Sequence, residues 1–228
     1  MTAYDGNKNY QIQPGDYCIA RKNHLVRYTK YKDDDQFEKV IITFDEAFLK
    51  KFLERHSYIA ETADHDDSFI FINEDRLVKN FIDSLEPYYN GTEQLDDYFV
   101  DIKREELLMI LLKNTPDLKN IFFNFSIPHK IDLEHFMNQN YKFNISLERF
   151  AFMTGRSLST FKRDFKAVFH MAPGKWLIKK RLQEAYFLLD KEQHKPSDIY
   201  IDLGFEDLSH FSYAFKKEFG VSPSDLRA

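Results

Sequence analysis

Two stretches of this chain carry the same layout: a short amphipathic segment, a glycine, then a helix-length run with phenylalanine at every fourth position. The first passes through Leu147 to Phe150, Gly155, and Phe161, Phe165 and Phe169; the second through Ile199 to Leu203, Gly204, and Phe211, Phe215 and Phe219. Side chains four apart stand on one face of an α-helix, so each Phe row must be buried against the segment before it, and the opposite face is left to solvent. That exposed face reads Ser159, Thr160, Lys162, Arg163 and Lys166 in the first copy, and Ser209, His210, Ser212, Tyr213 and Lys216 in the second. A duplicated helix, tight turn and helix predicts two helix-turn-helix units.

Local punctuation extends this to an all-α region. Helical segments are expected over 132–138, 146–154, 157–169, 173–190, 196–203 and 207–219, with a tail after Pro223. Gly155 follows a helix where a left-handed residue is needed, Ser157 can cap the next, Pro173 suits a first helical turn, and Gly204 and Gly220 end segments. The segment 173–190 has an apolar stripe of Trp176, Leu177, Leu182, Ala185 and Leu189, with Lys179, Lys180 and Arg181 beside it. Its 18 positions span about 27 Å, comparable to the roughly 34 Å of one DNA turn once the offsets of the flanking helices are added.

Charge sharpens the division. Residues 128–228 hold 16 Lys and Arg against 13 Asp and Glu, whereas residues 1–127 hold 16 against 24. Within the basic half, Arg156 to Arg181 contains eight basic residues and one acid, Asp164. Such density is the electrostatic footprint of a nucleic-acid surface, although the same run also fits an ordinary solvated helix face. An exposed helix carrying hydroxyls, Lys and Arg fits the major groove of DNA, where Arg163 has the fork geometry for guanine.

The residues that carry a family resemblance are Gly204-Phe205, Ser209-His210-Phe211, Ala214-Phe215-Lys216-Lys217 and Phe219-Gly220-Val221-Ser222-Pro223, together with Ala151, Gly155, Ser157, Phe161, Phe165-Lys166, Pro173, Trp176, Arg181-Leu182, Ala185 and Leu188-Leu189. In type and spacing they resemble the C-terminal domain of the AraC/XylS family of bacterial transcriptional regulators, over about residues 130–227. The resemblance implies that Ser159, Lys162 and Arg163, and Ser209, Ser212 and Tyr213, approach base edges in two successive major grooves. Tyr213 stands where many members carry Arg, and Leu226 where an aromatic residue is usual.

The N-terminal half reads differently. Turn signals at Asp5-Gly6-Asn7 and Pro14-Gly15-Asp16 separate short alternating runs, and strands are expected at 10–12, 17–20, 25–28 and 37–43. Thr43-Phe44-Asp45-Glu46 reads as a capping box with Thr43 as cap, opening a helix over 47–55. Helical periodicity then places Leu77, Phe81 and Leu85 on one stripe of 76–89, and Phe99, Ile102, Met109 and Leu112 on one stripe of 95–113. Residues 10–16, the strands after them and Phe44 to Phe52 are similar to the latter part of a cupin-type sensing barrel followed by dimerisation helices. Relatives carry further strands ahead of this point, so the resemblance implies a shortened start and an incomplete barrel.

The expected fold is therefore α+β: a partial, cupin-like β-barrel with helices over residues 1–125, for sensing or dimerisation, and an all-α DNA-binding domain with two helix-turn-helix motifs over 126–228. The expected partners are double-stranded DNA, RNA polymerase and, through the N-terminal half, a second copy of the chain, in the cytoplasm and without a membrane. A second reading is an interaction module that pairs with full-length relatives and modulates them. A cupin-type enzyme would need a metal, and near Pro14-Gly15-Asp16 only His24 offers an imidazole; His56 and His65 sit in polar surroundings. No catalytic residue, metal or cofactor is expected. The acidic runs 33–35 and 64–67 read as solvated loops and Cys18 as an inert core residue.

Overall fold

The computed structural model describes residues 1–29, 40–60, 67–73, 75–89, 97–126 and 128–227. Five short strands occur among them: β1 (Thr2–Tyr4), β2 (Asn9–Gln11), β3 (Tyr17–Ala20), β4 (Arg27–Thr29) and β5 (Phe69–Ile72). They form two small sheets, one with the order β2-β1-β4 and one pairing β3 with β5. The β3–β5 pair is antiparallel, with Tyr17 opposite Ile72 and Ala20 opposite Phe69. With a helical C-terminal region this is the expected α+β class. No described helix is long and apolar enough to cross a membrane.

The chain divides into two compact units, Met1–Thr2 with Gln11–His24 and Thr29–Ser126, and Ala3–Tyr10 with Leu25–Tyr28 and Ile127–Ala228. In the first unit the helices are α1 (Glu46–Arg55), α2 (Arg76–Asp83), α3 (Glu86–Tyr89), α4 (Asp97–Asn114) and, after a 3₁₀ turn at Pro116–Leu118, α5 (Lys119–Phe122). Its core gathers Phe48, Leu49 and Phe52 of α1, Val78 and Phe81 of α2, and Leu107, Leu108, Leu111 and Leu112 of α4. Tyr17, Ile19, Ile70 and Ile72 pack over it from the β3–β5 pair.

Several expectations for this unit are corrected. The cap of α1 is Asp45, whose carboxylate accepts from the Phe48 amide, and not Thr43: the nearer carboxylate reaches the first turn, and the helix starts at Glu46, one residue ahead of the expected 47. The expected stripe of α2 fails at Leu77, which is 40% exposed while its neighbour Val78 is buried. In α4, Phe99, Ile102 and Met109 lie outside, because the run Leu107-Leu108-Met109-Ile110-Leu111-Leu112 is apolar on every face and the pattern cannot choose which side packs. Residues 40–43 form no strand, and the rest of the strand expected over 37–43 lies outside the described residues, as do His65 and the acidic residues 33–35 and 64–66. Strands β1 and β5 were not expected. Cys18 is half-buried on β3 opposite Phe71, not in the core, and His56 stacks on Phe52 at 4.2 Å with its Nε2 3.1 Å from Glu105, so its surroundings are not simply polar.

The second unit holds α6 (Leu133–Asn140), α7 (Leu147–Met153), α8 (Leu158–Phe169), α9 (Pro173–Asp190), α10 (Pro196–Ile199) and α11 (Leu208–Phe219), then a 3₁₀ turn at Asp225–Arg227. Two buried clusters lie within it. Leu133, Met137, Phe150, Met153, Phe161, Phe165 and Leu177 belong to one; Leu182, Ala185, Leu189, Ile199, Leu203, Phe211 and Phe215 belong to the other. Helix α9 supplies Leu177 to the first and Leu182, Ala185 and Leu189 to the second. Tyr4 and Leu25 join the first cluster from the N-terminal segments, Tyr4 stacking on Phe143 with centroids 6.2 Å apart.

Candidate nucleic-acid interface

Each repeat turns at a glycine and opens its second helix with a side-chain cap. Ser146 caps α7 by accepting from the Arg149 amide, and the Thr154 hydroxyl closes its far end by donating to the carbonyls of Phe150 and Ala151 at 2.9 and 3.0 Å. Gly155 then turns the chain at φ 66°, where a Cβ would stand 2.4 Å from the His129 carbonyl carbon and oxygen, so only glycine fits both the backbone and the space. Ser157 caps α8, accepting from the Thr160 amide, while its hydroxyl donates to Thr160 Oγ1 at 2.9 Å. In the second copy Asp207 caps α11 by accepting from the His210 amide at 2.6 Å, and Gly204 makes the turn at φ 83°. Both second helices end on a left-handed residue, His170 in one and Gly220 in the other.

The Phe rows are anchored on their inner side. Phe161, Phe165, Phe211 and Phe215 are fully buried. Phe165 and Phe169 lie 4.4 Å apart and Phe169 lies 4.5 Å from Trp176; in the second repeat Phe215 and Phe219 lie 4.7 Å apart with Tyr186 5.0 Å from Phe219. These contacts fix the rotation of α8 and α11 about their own axes. Ser159, Lys162, Arg163 and Lys166 are consequently exposed on α8 with Thr160 half-buried, and Ser209, His210, Tyr213 and Lys216 are exposed on α11 with Ser212 half-buried. The five residues singled out in each repeat thus share one helix, away from its Phe row.

Asp164 sits beneath the α8 face and binds three cations. It lies 3.0 Å from Lys130 Nζ and 3.2 Å from Arg156 Nε, and accepts from Arg163 Nε and Nη2 at 3.3 and 3.2 Å. The Lys130 ammonium foremost, then the Arg156 guanidinium, hold its carboxyl down at about 2, below the usual 3.8. Because the carboxylate takes the Nε–Nη2 side of Arg163, the terminal Nη1–Nη2 fork is left for another acceptor. Arg156 meanwhile donates to the carbonyls of Ile131 and Thr154 at 3.0 and 2.7 Å.

Two of the eight basic residues in the run from Arg156 to Arg181 are therefore interior. Arg181, expected beside the apolar stripe of α9, is only 7% exposed, and its nitrogens donate to main-chain carbonyls. Sequence reasoning missed Asp164 and Arg181 as organising residues. The lone acid in a basic run was the available signal for the first; for the second the resemblance marked the residue but not its role, because its acceptors come from loops far away in sequence.

Residues 1–121 match the family of the ExsA N-terminal regulatory domain, and residues 150–228 match a helix-turn-helix domain family. Over its full length the chain is 25% identical to the HTH-type transcriptional regulator ExsA of Pseudomonas aeruginosa, covering 82% of that protein. It is 24% identical to the thermoregulatory protein LcrF of Yersinia pestis, over 96% of this chain and 82% of that one. Among solved structures, the DNA-binding domain of AdpA in complex with a target DNA is similar over 42% of this chain and 86% of that one, at 24% identity and a TM-score of 0.40. ToxT from Vibrio cholerae aligns over 98% of this chain and 83% of its own, at 14% identity and a TM-score of 0.35.

Proposed function

The chain belongs to the AraC/XylS family of regulators, with the ExsA N-terminal regulatory domain as its first half, and from that premise we propose that it is a sequence-specific transcriptional regulator that sets α8 and α11 into successive major grooves of duplex DNA. The observation that carries this reading is the pair of outward polar faces, each mounted on its own aromatic cluster and joined by one helix of 18 residues, about 27 Å long. Ser159, Lys162 and Arg163, and Ser209, Ser212 and Tyr213, are assigned to base edges. Thr160, Lys166, His210 and Lys216 are assigned to the flanking backbone. Tyr213, 69% exposed, offers an aromatic face and a hydroxyl where an Arg would offer a fork.

Residues 126–228 form the reading domain in this proposal and residues 1–125 the sensing or pairing domain. The exposed side chains Tyr98, Ile102 and Met109 on α4 support pairing with a second copy. RNA polymerase is the further partner through which bound regulator acts on a promoter, and a DNA target assigns the protein to the cytoplasm.

The test begins with duplexes selected by the full chain from a random library. Arg163→Ala is expected to cost about 1 to 3 kcal/mol on the selected duplex and to relax one base position. Lys166→Ala is expected to weaken all duplexes alike and to lower the salt slope by about one. Equal loss on selected and random DNA for Arg163→Ala rejects base readout by that residue.

A further inference from the structure

Arg181 lies on α9 between the residues that join the first buried cluster and those that join the second. Leu177, one turn before it, packs with the first helix-turn-helix, and Leu182, the next residue, packs with the second. The guanidinium is taken out of water, and among the described residues no carboxylate pairs with it. Instead Nε donates to the Tyr141 carbonyl at 2.7 Å, Nη2 to the Phe143 carbonyl at 2.9 Å and Nη1 to the Gly204 carbonyl at 2.8 Å. The first two carbonyls belong to the loop after α6, whose Tyr141 and Phe143 side chains pack in the first cluster; the third belongs to the turn of the second repeat.

Two further bridges flank these bonds. Lys142 Nζ reaches Glu184 of α9 at 2.8 Å, and Asn144 Nδ2 donates to Glu206, two residues past Gly204, at 3.1 Å. Close packing allows nothing between the two loops. A Cβ on Gly204 would lie 2.5 Å from the Lys142 carbonyl oxygen and 2.9 Å from Arg181 Cζ. Burial draws the Arg181 guanidinium down to about 10, which leaves it charged at neutral pH.

An apolar side chain would fill this space, but it would not set an angle. A planar guanidinium bonded to three carbonyls fixes direction as well as distance, because hydrogen bonds weaken steeply when misaligned. Successive base pairs differ by roughly 3.4 Å and 35° along the duplex, so two reading helices on one monomer must hold their relative orientation to within about one such step. We propose that Arg181 is a positioning residue that locks the two helix-turn-helix units into a single reading head and thereby sets the spacing between half-sites that the protein accepts. This rests on the proposed DNA-binding function.

The test compares wild type and Arg181→Lys, which keeps the charge and loses the planar fork, in the full chain. Duplexes selected by wild type are remade with one or two base pairs inserted between the half-sites, and with one half-site randomised. Wild type is expected to lose roughly tenfold or more on insertion, as rigidly coupled modules do when the span is wrong. Arg181→Lys is expected to bind the uninterrupted duplex about tenfold more weakly, to keep single half-site affinity within about twofold, and to lose less than about threefold on insertion. A spacing profile identical to wild type in a folded variant overturns the proposal, as does equal loss on single and double half-sites. Should Arg181→Lys fail to fold, Arg181→Gln, which also lacks the three-way fork, carries the same expectation and the same overturning result.

A readout without DNA separates this inference from the function it rests on. Spin labels at Ser159→Cys and Ser209→Cys, with Cys18→Ser, report the distance between α8 and α11. The distribution is expected to broaden on Arg181→Lys, and an unchanged width overturns the lock. If wild type selects no duplex while the distribution still broadens, the DNA-binding function falls and the lock between the repeats stands.

Discussion

At the scale of single residues, the arrangement around Asp164 decides what Arg163 can do. An exposed Arg on a helix samples many rotamers, and ordering it on binding costs entropy. With its Nε–Nη2 side held on Asp164, Arg163 is oriented before any binding event, and its terminal fork is left available for the guanine contact proposed for it. Asp164→Asn keeps the shape and removes the charge. The variant is expected to lose discrimination at the base pair that Arg163 is proposed to read while random-sequence affinity holds or rises, since one negative charge leaves the surface. Competition binding with selected and random duplexes measures both, and undiminished discrimination would argue against the buttress. The same carboxylate gives a pH signature. Its folded value lies near 2 and its ordinary value at 3.8, so the stabilisation is present above the ordinary value and disappears as pH falls from about 4 towards 2. Acid unfolding of wild type should show that loss and Asp164→Asn should not.

At the scale of elements, most helix ends in the second unit were legible, although α10 stops at Ile199 where residue 203 was expected, and helix faces in the first unit were not. Caps are local: Ser157 and Gly220 sit where they were expected, because a side-chain oxygen or an absent Cβ acts on amides a few residues away. Faces are not local. Helix α4 carries apolar residues all round, and only contact with α1 and α2 decides that Leu107, Leu108, Leu111 and Leu112 go in while Ile102 and Met109 stay out. Strand β5 was missed for the same reason, since Phe69-Ile70-Phe71-Ile72 acquires strand geometry from its partner β3, which lies far back in the chain. The glycines separate backbone conformation from space. Gly220 has positive φ with nothing near its missing Cβ, whereas Gly155 has positive φ and the His129 backbone 2.4 Å away. Gly220→Ala is therefore expected to cost about 1 to 2 kcal/mol from conformation alone, and Gly155→Ala clearly more. Urea midpoints with unchanged slope report the difference, and equal costs would remove the steric argument for Gly155.

At the scale of the whole molecule, the unit that carries both candidate reading helices is not a continuous stretch of sequence. Its aromatic clusters, helix order and exposed polar faces were readable because they repeat a simple period within the last hundred residues. The contribution of residues 3–10 and 25–28 was not readable, because nothing in their short alternating pattern says which core they join. Leu25 is 9% exposed and lies in the cluster of Phe150, Phe161 and Phe165; two residues on, Arg27 donates to the Asp202 carbonyl at 2.6 Å and pairs with its carboxylate at 3.4 Å. A substitution near the start of the chain should thus be felt in helices more than a hundred residues later. Leu25→Ala removes buried methyl groups and leaves a cavity in that cluster, for an expected loss of about 2 to 4 kcal/mol. Amide hydrogen exchange locates the effect: protection should fall in α6, α7 and α8 and remain near wild type in α1 and α4, whose core contains no part of Leu25. Exchange that rises in α1 and α4 and leaves α6 to α8 unchanged would return the strand segment to the other unit, and with it the boundary between sensing and reading to a single cut near residue 126.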